Sequence, residues 1–256
     1  MGNRKLQGNS EPRIVVSEVF LSLQGEGPRA GVPAVFLRLA GCNLMCGGVG
    51  TDRDGKLHRG ATWRCDTIEV WQSGEKFTAT ELLNYMHDSG HVAALNRGAI
   101  LVITGGEPLL QAKRLPTFLA LLHKAVPHLQ VDFETNGTLA VPEELERYLY
   151  VVSPKGSNSG TQYRESTNMR VLSLFARMPM VAWKFVAAHQ GDCFEVLTNI
   201  ITPLGLNPHA VWFMPAASNR KELEARSEEV ADFCINRGFN FSTRLQVAIW
   251  NETTGV

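Results

Sequence analysis

The sequence predicts an α/β fold in a single domain, built on a mainly parallel sheet, and three observations predict it. Short apolar segments alternate with segments of helical periodicity along the chain. Four of the apolar segments end in clusters of glycine and polar residues. The 256 residues suffice for one α/β domain with a large core. Because the carboxyl ends of parallel strands open on one face, we expect the four clusters to share one site.

The predicted strands are the apolar segments bounded by turn residues. They cover residues 14–20, 33–40, 99–103, 129–133, 148–152, 181–186 and 210–214, and an alternating pattern adds a closing strand at 243–250. The predicted helices have apolar side chains three and four residues apart. They cover residues 78–88, 112–125, part of 142–149, and 219–237. The last helix begins with a pattern typical of a capping box, Asn219 to Glu222, and ends at Gly238.

Composition and charge argue against several functional classes. The 25 Lys and Arg residues balance the 25 Asp and Glu residues, which argues against a nucleic-acid-binding or membrane-surface role. No apolar segment is long enough to span a bilayer. Residues 1–13 are polar, so we expect a disordered lead-in rather than a signal peptide, with one folded domain over 14–256. Of the five cysteines, Cys193 and Cys234 lie among apolar neighbours and are expected to be buried thiols in a reducing cytoplasm.

The other three cysteines, Cys42, Cys46 and Cys65, indicate a metal centre. Three thiolates can hold three irons of a [4Fe–4S] cluster and leave the fourth iron free to chelate a small molecule. A structural zinc site needs four ligands, and His58 keeps a Cys₃His zinc site open when this loop is considered alone. Plain buried thiols are the third interpretation.

The motifs that follow the cysteines resemble those of one family. They are Thr104 through Pro108, Glu134 through Gly137, Ser153 through Lys155, Trp183 through Val186, and Thr243 through Val247. Together with residues 20–27, 31–39 and 65–67, they resemble the 7-carboxy-7-deazaguanine synthase family of radical S-adenosylmethionine enzymes. The resemblance covers nearly the whole chain from about residue 14, and it implies an incomplete (β/α) barrel.

The spacing of the cysteines departs from the Cys-x3-Cys-x2-Cys pattern usual in that superfamily. Eighteen residues, 47–64, separate Cys46 from Cys65, and they are rich in glycine and charge. This composition predicts a hydrophilic loop inserted between the second and third ligands and dispensable for cluster binding. Loop closure costs only roughly 0.6 kcal/mol for each doubling of loop length, so the three cysteines can still converge.

The resemblance implies an S-adenosylmethionine site at the strand ends. The residues it places there are Gly105, Gly106, Glu107, Thr135, Asn136, Ser153, Pro154 and Lys155. The two glycines would let the backbone approach the ligand closely, and the Glu107 carboxylate would accept hydrogen bonds from its amino group. A lysine such as Lys155 suits a carboxylate.

The resemblance also implies a substrate site and a magnesium ligand. The substrate residues are Leu23, Gln24, Gly25, Glu26, Arg38 and Thr104. Arg38 lies in an apolar strand, where an unpaired guanidinium is costly; the substrate carboxylate is its expected partner, and an internal Asp or Glu is the alternative. Thr67 matches the position that binds Mg²⁺ in the family, and without the resemblance it would be a helix N-cap.

The implied reaction belongs to queuosine and 7-deazapurine biosynthesis. One-electron reduction of cluster-bound S-adenosylmethionine gives a 5′-deoxyadenosyl radical, which abstracts hydrogen from C6 of 6-carboxy-5,6,7,8-tetrahydropterin. Ring contraction and loss of ammonia then yield 7-carboxy-7-deazaguanine. The implied partners are a flavodoxin- or ferredoxin-type reductant and a second copy in a homodimer. The alternatives are an activating enzyme for glycyl-radical proteins, which often carries extra cysteines that are absent here, and a zinc-binding structural protein.

Overall fold

A computed structural model describes residues 11–48 and 56–253, and its described residues form a nine-stranded sheet. The strands are β1 Ile14–Leu23, β2 Pro33–Leu39, β3 Glu75–Phe77, β4 Ile100–Gly105, β5 Val131–Thr135, β6 Leu149–Val152, β7 Val181–Ala187, β8 Val211–Pro215 and β9 Asn240–Phe241. Their order is β3-β1-β2-β4-β5-β6-β7-β8-β9. Strands β2 and β4 to β9 are parallel, whereas β1 is antiparallel to both of its neighbours. The sheet is open, and β3 and β9 form its edges.

Ten α-helices accompany the sheet in the described residues, and they supply the crossovers between parallel strands except from β5 to β6, which are joined through the 3₁₀ turn Glu143–Leu145. They are α1 Ile68–Trp71, α2 Ala79–Asp88, α3 His91–Asn96, α4 Leu115–Ala125, α5 Tyr163–Ser166, α6 Met169–Phe175, α7 Gln190–Val196, α8 Thr202–Leu204, α9 Arg220–Arg237 and α10 Leu245–Trp250. None of the helices in the described residues is both long and apolar enough to cross a membrane.

The two faces of the sheet differ in chemistry. Side chains on the outer face, such as Leu37, Ile103 and Phe133, pack under the helices in one large buried cluster. Since side chains alternate along a strand, the neighbouring residues point inward. The inward residues near the strand starts are apolar and include the buried Phe36 and Val102. Those nearer the strand ends are polar, so the inner face is a candidate for a binding site.

The single α/β sheet is confirmed, and so are seven of the eight predicted strands, whereas three further details differ. The segment 112–125 begins as a 3₁₀ helix, Pro108–Arg114, before α4. Asn219 caps α9 by accepting from the Glu222 N–H at 3.0 Å, but the Glu222 carboxylate bonds Ser218, so the capping box is incomplete. Of the predicted lead-in, residues 1–10 lie outside the described part, whereas Glu11 accepts a hydrogen bond from the N–H that opens α2.

The predicted closing strand at 243–250 is wrong, because this segment forms helix α10. Both Val247 and Ala248 donate their N–H groups to the Arg244 carbonyl at 3.0 Å. Strand β9 already occupies the sheet edge beside β8, and Val247 is instead buried against Ala217 and Leu223. A segment this short does not distinguish alternation from helical periodicity, since one buried side chain satisfies both patterns.

Candidate functional site

The segment between β2 and α1 carries Cys42, Cys46 and Cys65 and is called the cysteine loop. It begins at the carboxyl edge of the sheet. Gly41 has a φ of 91° and turns the chain, and its N–H donates to the Trp71 carbonyl at 2.8 Å. The Cys65 N–H donates to the Cys46 carbonyl at 3.1 Å. The third cysteine is therefore held beside the second despite the eighteen residues between them.

The three thiols form a donor set that suits an iron–sulfur cluster. All three are free, and Cys46 is buried whereas Cys42 and Cys65 are partly exposed. Burial raises the pKa of Cys46 to about 12, with Lys155 opposing the rise and the charges of Cys65 and Cys42 adding to it. Burial also raises the pKa of Cys42. Iron bound at these cysteines would stabilise their thiolates.

The zinc alternative has no support among the described residues. No three side chains of His, Cys, Asp or Glu there converge closely enough to hold a single ion. His58 and Cys42 line one surface cleft, but the hydrogen bonds of His58 in the described residues are made by its backbone, to the Gly47 carbonyl at 3.3 Å and from the Ala61 N–H at 3.2 Å. A four-iron cluster differs from zinc because each thiolate binds its own iron, so the thiolates are farther apart.

The sequence predicts that residues 47–64 form an inserted loop that the site does not need. The described ends of this insertion are instead bonded to the rest of the fold. Within the described parts, the Gly47 N–H donates to the Ser159 carbonyl at 2.8 Å, and the Thr62 N–H donates to the Asn158 carbonyl at 2.9 Å. A Cβ on Gly160 would lie 2.5 Å from the His58 carbonyl oxygen. Both ends of the insertion are thus packed against the loop that follows β6, so replacing the whole insertion would remove contacts that hold the cysteine loop.

The glycines of the Gly-Gly-Glu-Pro motif bring two strand ends together. A Cβ on Gly105 would lie 2.2 Å from the Leu39 carbonyl oxygen, and one on Gly106 would lie 2.3 Å from the Gly41 oxygen. Each distance is far inside van der Waals contact, so only glycine fits at either position. The sequence predicts that these glycines let the backbone approach a ligand closely. In the structure they let it approach the end of β2 and the cysteine loop.

The Glu107 carboxylate is buried and engaged within the protein. It accepts hydrogen bonds from the Leu109 N–H at 3.0 Å, the Thr135 hydroxyl at 2.9 Å and the Asn136 N–H at 2.7 Å. Burial raises the pKa of Glu107, and the backbone donors oppose that rise. Because a carboxylate has about four acceptor positions, at most one remains for the amino group of a cofactor.

The Asn136 side chain also binds the cysteine loop. Its amide donates to the Asn43 side chain at 2.9 Å, and Asn43 in turn donates to the Thr138 hydroxyl at 2.8 Å. The side chains of Thr135 and Asn136 therefore hold strand ends together. Their predicted contact with S-adenosylmethionine remains a prediction.

Ser153, Pro154 and Lys155 follow β6 at the same edge. The Lys155 ammonium donates to the Ser153 hydroxyl at 2.9 Å and lies 5.8 Å from the centre of the Trp63 ring. The Trp63 indole N–H is buried with no partner in the described residues. A buried donor without a partner is costly, so an acceptor on a bound group would suit this position.

Arg38 is not the unpaired cation that the sequence suggested. Its Nε donates to Glu18 at 2.7 Å, and its guanidinium lies over the Phe20 ring at 5.9 Å from the centroid. The internal ion pair, the alternative partner, is therefore present. The guanidinium has further N–H groups, so its role toward a substrate carboxylate remains a prediction.

Polar side chains from four strands, β2, β4, β5 and β7, meet on the inner face. Strand register places Arg38 opposite Thr104, and alternation along β5 and β7 points Glu134 and Lys184 to the same face. The Thr104 hydroxyl donates to Glu134 at 3.0 Å, and the Gln24 amide donates to its other oxygen at 3.2 Å. The predicted residues Gln24 and Thr104 are thus brought together by Glu134.

The Glu26 carboxylate lies at the centre of a charged junction beside these residues. It accepts from Lys184 at 2.6 Å, Arg244 at 3.0 Å and the Gln246 amide at 2.7 Å. Burial alone would raise the pKa of Glu26, but the charges of Lys184 and Arg244 outweigh it and hold that pKa far below its usual range. Glu26 is therefore ionised at neutral pH.

Gly25 serves the packing of the C-terminal helix. Its carbonyl accepts from the Leu245 N–H at 2.9 Å, and a Cβ would lie 1.9 Å from the Gln246 side-chain oxygen. Leu23 is the last residue of β1 and pairs with Pro33. These contacts give both residues a structural role, and their predicted contact with substrate is untested.

Thr67 precedes α1, as the helix-cap alternative requires, but its hydroxyl does not cap the helix. Instead the hydroxyl lies 3.4 Å from the Cys65 sulfur. The neighbouring Asp66 accepts from Arg244 at 2.8 Å. The hydroxyl thus lies beside the third cysteine.

Sequence reasoning missed Glu134, Lys184, Arg244 and Asp66 as members of the site. Lys184 had a usable signal, because a lysine within the apolar segment Trp183 to Val186 needs a buried partner just as Arg38 does. Arg244 had none, since its acidic partners are 178 and 218 residues away in the sequence.

The chain is similar along most of its length to proteins of one family. It is 31% identical to a 7-carboxy-7-deazaguanine synthase of Pyrobaculum aerophilum over 249 residues, which cover 96% of this chain and 99% of that protein. It is 33% identical to a 7-carboxy-7-deazaguanine synthase of Hyperthermus butylicus over 253 residues, covering 94% of each. The crystal structure of QueE from Escherichia coli shares the fold, with a TM-score of 0.62 and 23% identity over 91% of this chain and 94% of that chain. No family model matches the sequence.

Replacing Gly106 by alanine is expected to displace the cysteine loop, because the new Cβ would lie 2.5 Å from the Cys42 Cβ. Such overpacking costs about 1–3 kcal/mol, and iron content after anaerobic reconstitution should fall well below that of the unmodified protein. Gly205→Ala is the control, since Gly205 has nothing within 4 Å and a φ of 61°, so only backbone strain is added. Full iron in Gly106→Ala would contradict the steric account.

Proposed function

The chain belongs to the 7-carboxy-7-deazaguanine synthase family, and we propose that it converts 6-carboxy-5,6,7,8-tetrahydropterin to 7-carboxy-7-deazaguanine with loss of ammonia. The observation that carries the proposal is the match to the Pyrobaculum aerophilum protein over 96% of this chain. The site supports it, because a loop with three free cysteines and a polar inner face lie at one edge of the sheet. The reaction makes the protein a lyase of the radical S-adenosylmethionine type.

Cys42, Cys46 and Cys65 would hold a [4Fe–4S] cluster. When bound, the cluster and S-adenosylmethionine supply the one-electron chemistry that generates a hydrogen-abstracting radical. The chain's own contribution is to fix the three thiols in place. The hydrogen bond from the Cys65 N–H to the Cys46 carbonyl and the close contacts of Gly106 serve this purpose.

Ser153 and Lys155 would contact S-adenosylmethionine, with the ammonium of Lys155 facing its carboxylate. Lys155 suits this role because it follows β6 at the sheet edge, and its charge opposes the rise that burial causes in the pKa of Cys42 and Cys46. The Trp63 indole N–H is a further donor available to the bound group.

The inner face would bind the pterin through Gln24, Glu26, Arg38 and Thr104, with Glu134 added from the structure. Glu26 is ionised and can accept hydrogen bonds from the N–H groups of the heterocycle. Lys184 would stay protonated, because its carboxylate partners Glu26 and Glu134 raise its pKa even though burial opposes them. It would therefore hold charge and orient Glu26 rather than exchange a proton.

We assign Mg²⁺ to Thr67 on the resemblance alone. Mg²⁺ keeps several waters and shares its ligands with substrate, so a single protein hydroxyl is compatible with it. The electron donor would be a flavodoxin- or ferredoxin-type protein, and the chain would act as a cytoplasmic homodimer. These partner assignments also rest on the resemblance.

The function is tested by anaerobic reconstitution followed by assay with the pterin, S-adenosylmethionine and reductant. We expect about four irons per chain and formation of 7-carboxy-7-deazaguanine, measured by mass spectrometry. Cys42→Ala, Cys46→Ala and Cys65→Ala should each lose both, whereas Cys193→Ala and Cys234→Ala should keep both because those thiols are buried among helices. A fully loaded protein that makes no product would refute the function, and an active Cys65→Ala would refute the ligand assignment.

Thr67→Ala is expected to abolish the stimulation of turnover by Mg²⁺ while leaving iron content unchanged, because the hydroxyl is the proposed ligand. Thr67→Ser keeps a hydroxyl and should retain the stimulation, which makes it the matched control. The measurement is turnover against Mg²⁺ concentration for the three proteins. An unchanged response in Thr67→Ala would leave Thr67 only as the residue before α1.

A further inference from the structure

The Arg244 guanidinium joins three parts of the molecule. Its Nε donates to Glu26 at 3.0 Å, one terminal nitrogen donates to Asp66 at 2.8 Å, and the other donates to the Ala217 carbonyl. The Arg244 and Glu26 side chains are each 14% exposed, so the bond between them is largely shielded from water, whereas Asp66 is 53% exposed. Arg244 therefore connects the inner face, the segment after the third cysteine, and the segment after β8.

The two acidic partners of Arg244 belong to different halves of the proposed site. Glu26 is among the residues assigned to the pterin, and Asp66 directly follows Cys65. Burial would lower the pKa of Arg244, but Glu26 and Asp66 together raise it well above its usual value. Both carboxylates thus act on the same cation.

A second ion pair near Cys65 provides a comparison. Arg64 and Glu69 pair across Cys65 within a five-residue separation, and the Glu69 side chain is 67% exposed. This pair is local to the cysteine loop. The Asp66 pair differs because its partner comes from the C-terminal segment and also binds Glu26.

We propose that Arg244 is a positioning residue that couples the pterin site to the S-adenosylmethionine site, so that each ligand strengthens the binding of the other. This inference rests on the proposed function. Because coupling between binding sites is reciprocal, the same factor must describe the effect in both directions.

The physical basis is the order that Glu26 imposes on Arg244. Three of about four acceptor positions on Glu26 are occupied by Lys184, Arg244 and Gln246, so one remains for a heterocycle N–H without displacing the arginine. A heterocycle N–H bound at that position holds the Glu26 carboxylate in place. Glu26 then holds the Nε side of the Arg244 guanidinium. Asp66, bonded to Arg244, is held in turn, and with it Cys65, a ligand of the cluster that S-adenosylmethionine would chelate, so that binding costs less ordering.

The test is the affinity of reconstituted protein for S-adenosylmethionine, measured by equilibrium dialysis with and without 6-carboxy-5,6,7,8-tetrahydropterin. No reductant is added, so neither ligand is consumed. We expect the pterin to tighten binding by about fivefold or more in the unmodified protein, the lower end for coupled sites. Asp66→Asn should reduce that factor to about one, because the amide lacks the charge that holds Arg244.

Glu69→Gln is the matched control, since it removes an exposed acidic partner four residues from Cys65 without touching Arg244. It should keep the full coupling factor, with iron content equal in all three proteins. Arg244→Lys should also lose coupling, because one ammonium cannot replace the guanidinium fork.

Equal coupling in Asp66→Asn and the unmodified protein would overturn the inference, as would loss of coupling in Glu69→Gln or its absence from the unmodified protein. Each of these results leaves the proposed function intact as long as the unmodified protein turns over the pterin. A protein that binds neither ligand would instead refute the proposed function.

Discussion

The buried carboxylate of Glu26 is the interaction on which the arrangement of the site depends. The sheet is open, and Glu26 lies where the loop after β1, strand β7 and the C-terminal segment meet. Burial of a charge is costly, and here two cations and an amide compensate for it. Removing the negative charge would leave Lys184 and Arg244 buried and less well paired. The geometry of the inner face therefore follows from one buried junction rather than from the sheet alone.

The second constraint is the close contact between the ends of β2 and β4. Gly105 and Gly106 let the backbone after β4 come close enough to form hydrogen bonds with the turn at Gly41. The Glu107 N–H, for example, donates to the Gly41 carbonyl at 2.9 Å. The Glu107 carboxylate then extends the contact to β5 through Thr135 and Asn136. The Gly-Gly-Glu-Pro motif is thus a structural joint that sets where the cysteines lie, whatever it does toward a cofactor.

The sequence could predict the features that depend on neighbours along the chain. Most of the strands and the polar strand ends follow from local periodicity and spacing, and the structure agrees with the fold predicted from them. The relatives agree with the family that the motifs resemble. The sequence could not predict contacts made across the fold. The partners of Arg244 lie 178 and 218 residues away, and the packing of the insertion on the loop after β6 depends on the folded sheet. Helix α10 was mistaken for a strand because only Val247 in it is buried.

Hydrogen exchange in Glu26→Gln tests the central role of the junction most directly. The substitution keeps the size of the side chain and removes its charge, so Lys184 and Arg244 lose their ionic partner. The account predicts faster exchange of the Val247 and Ala248 amides, which are bonded to Arg244, with unchanged exchange of Leu119 and Leu122 in the buried helix α4. Unchanged protection of Val247 and Ala248 would contradict the account, since α10 would then be held without the Glu26 charge.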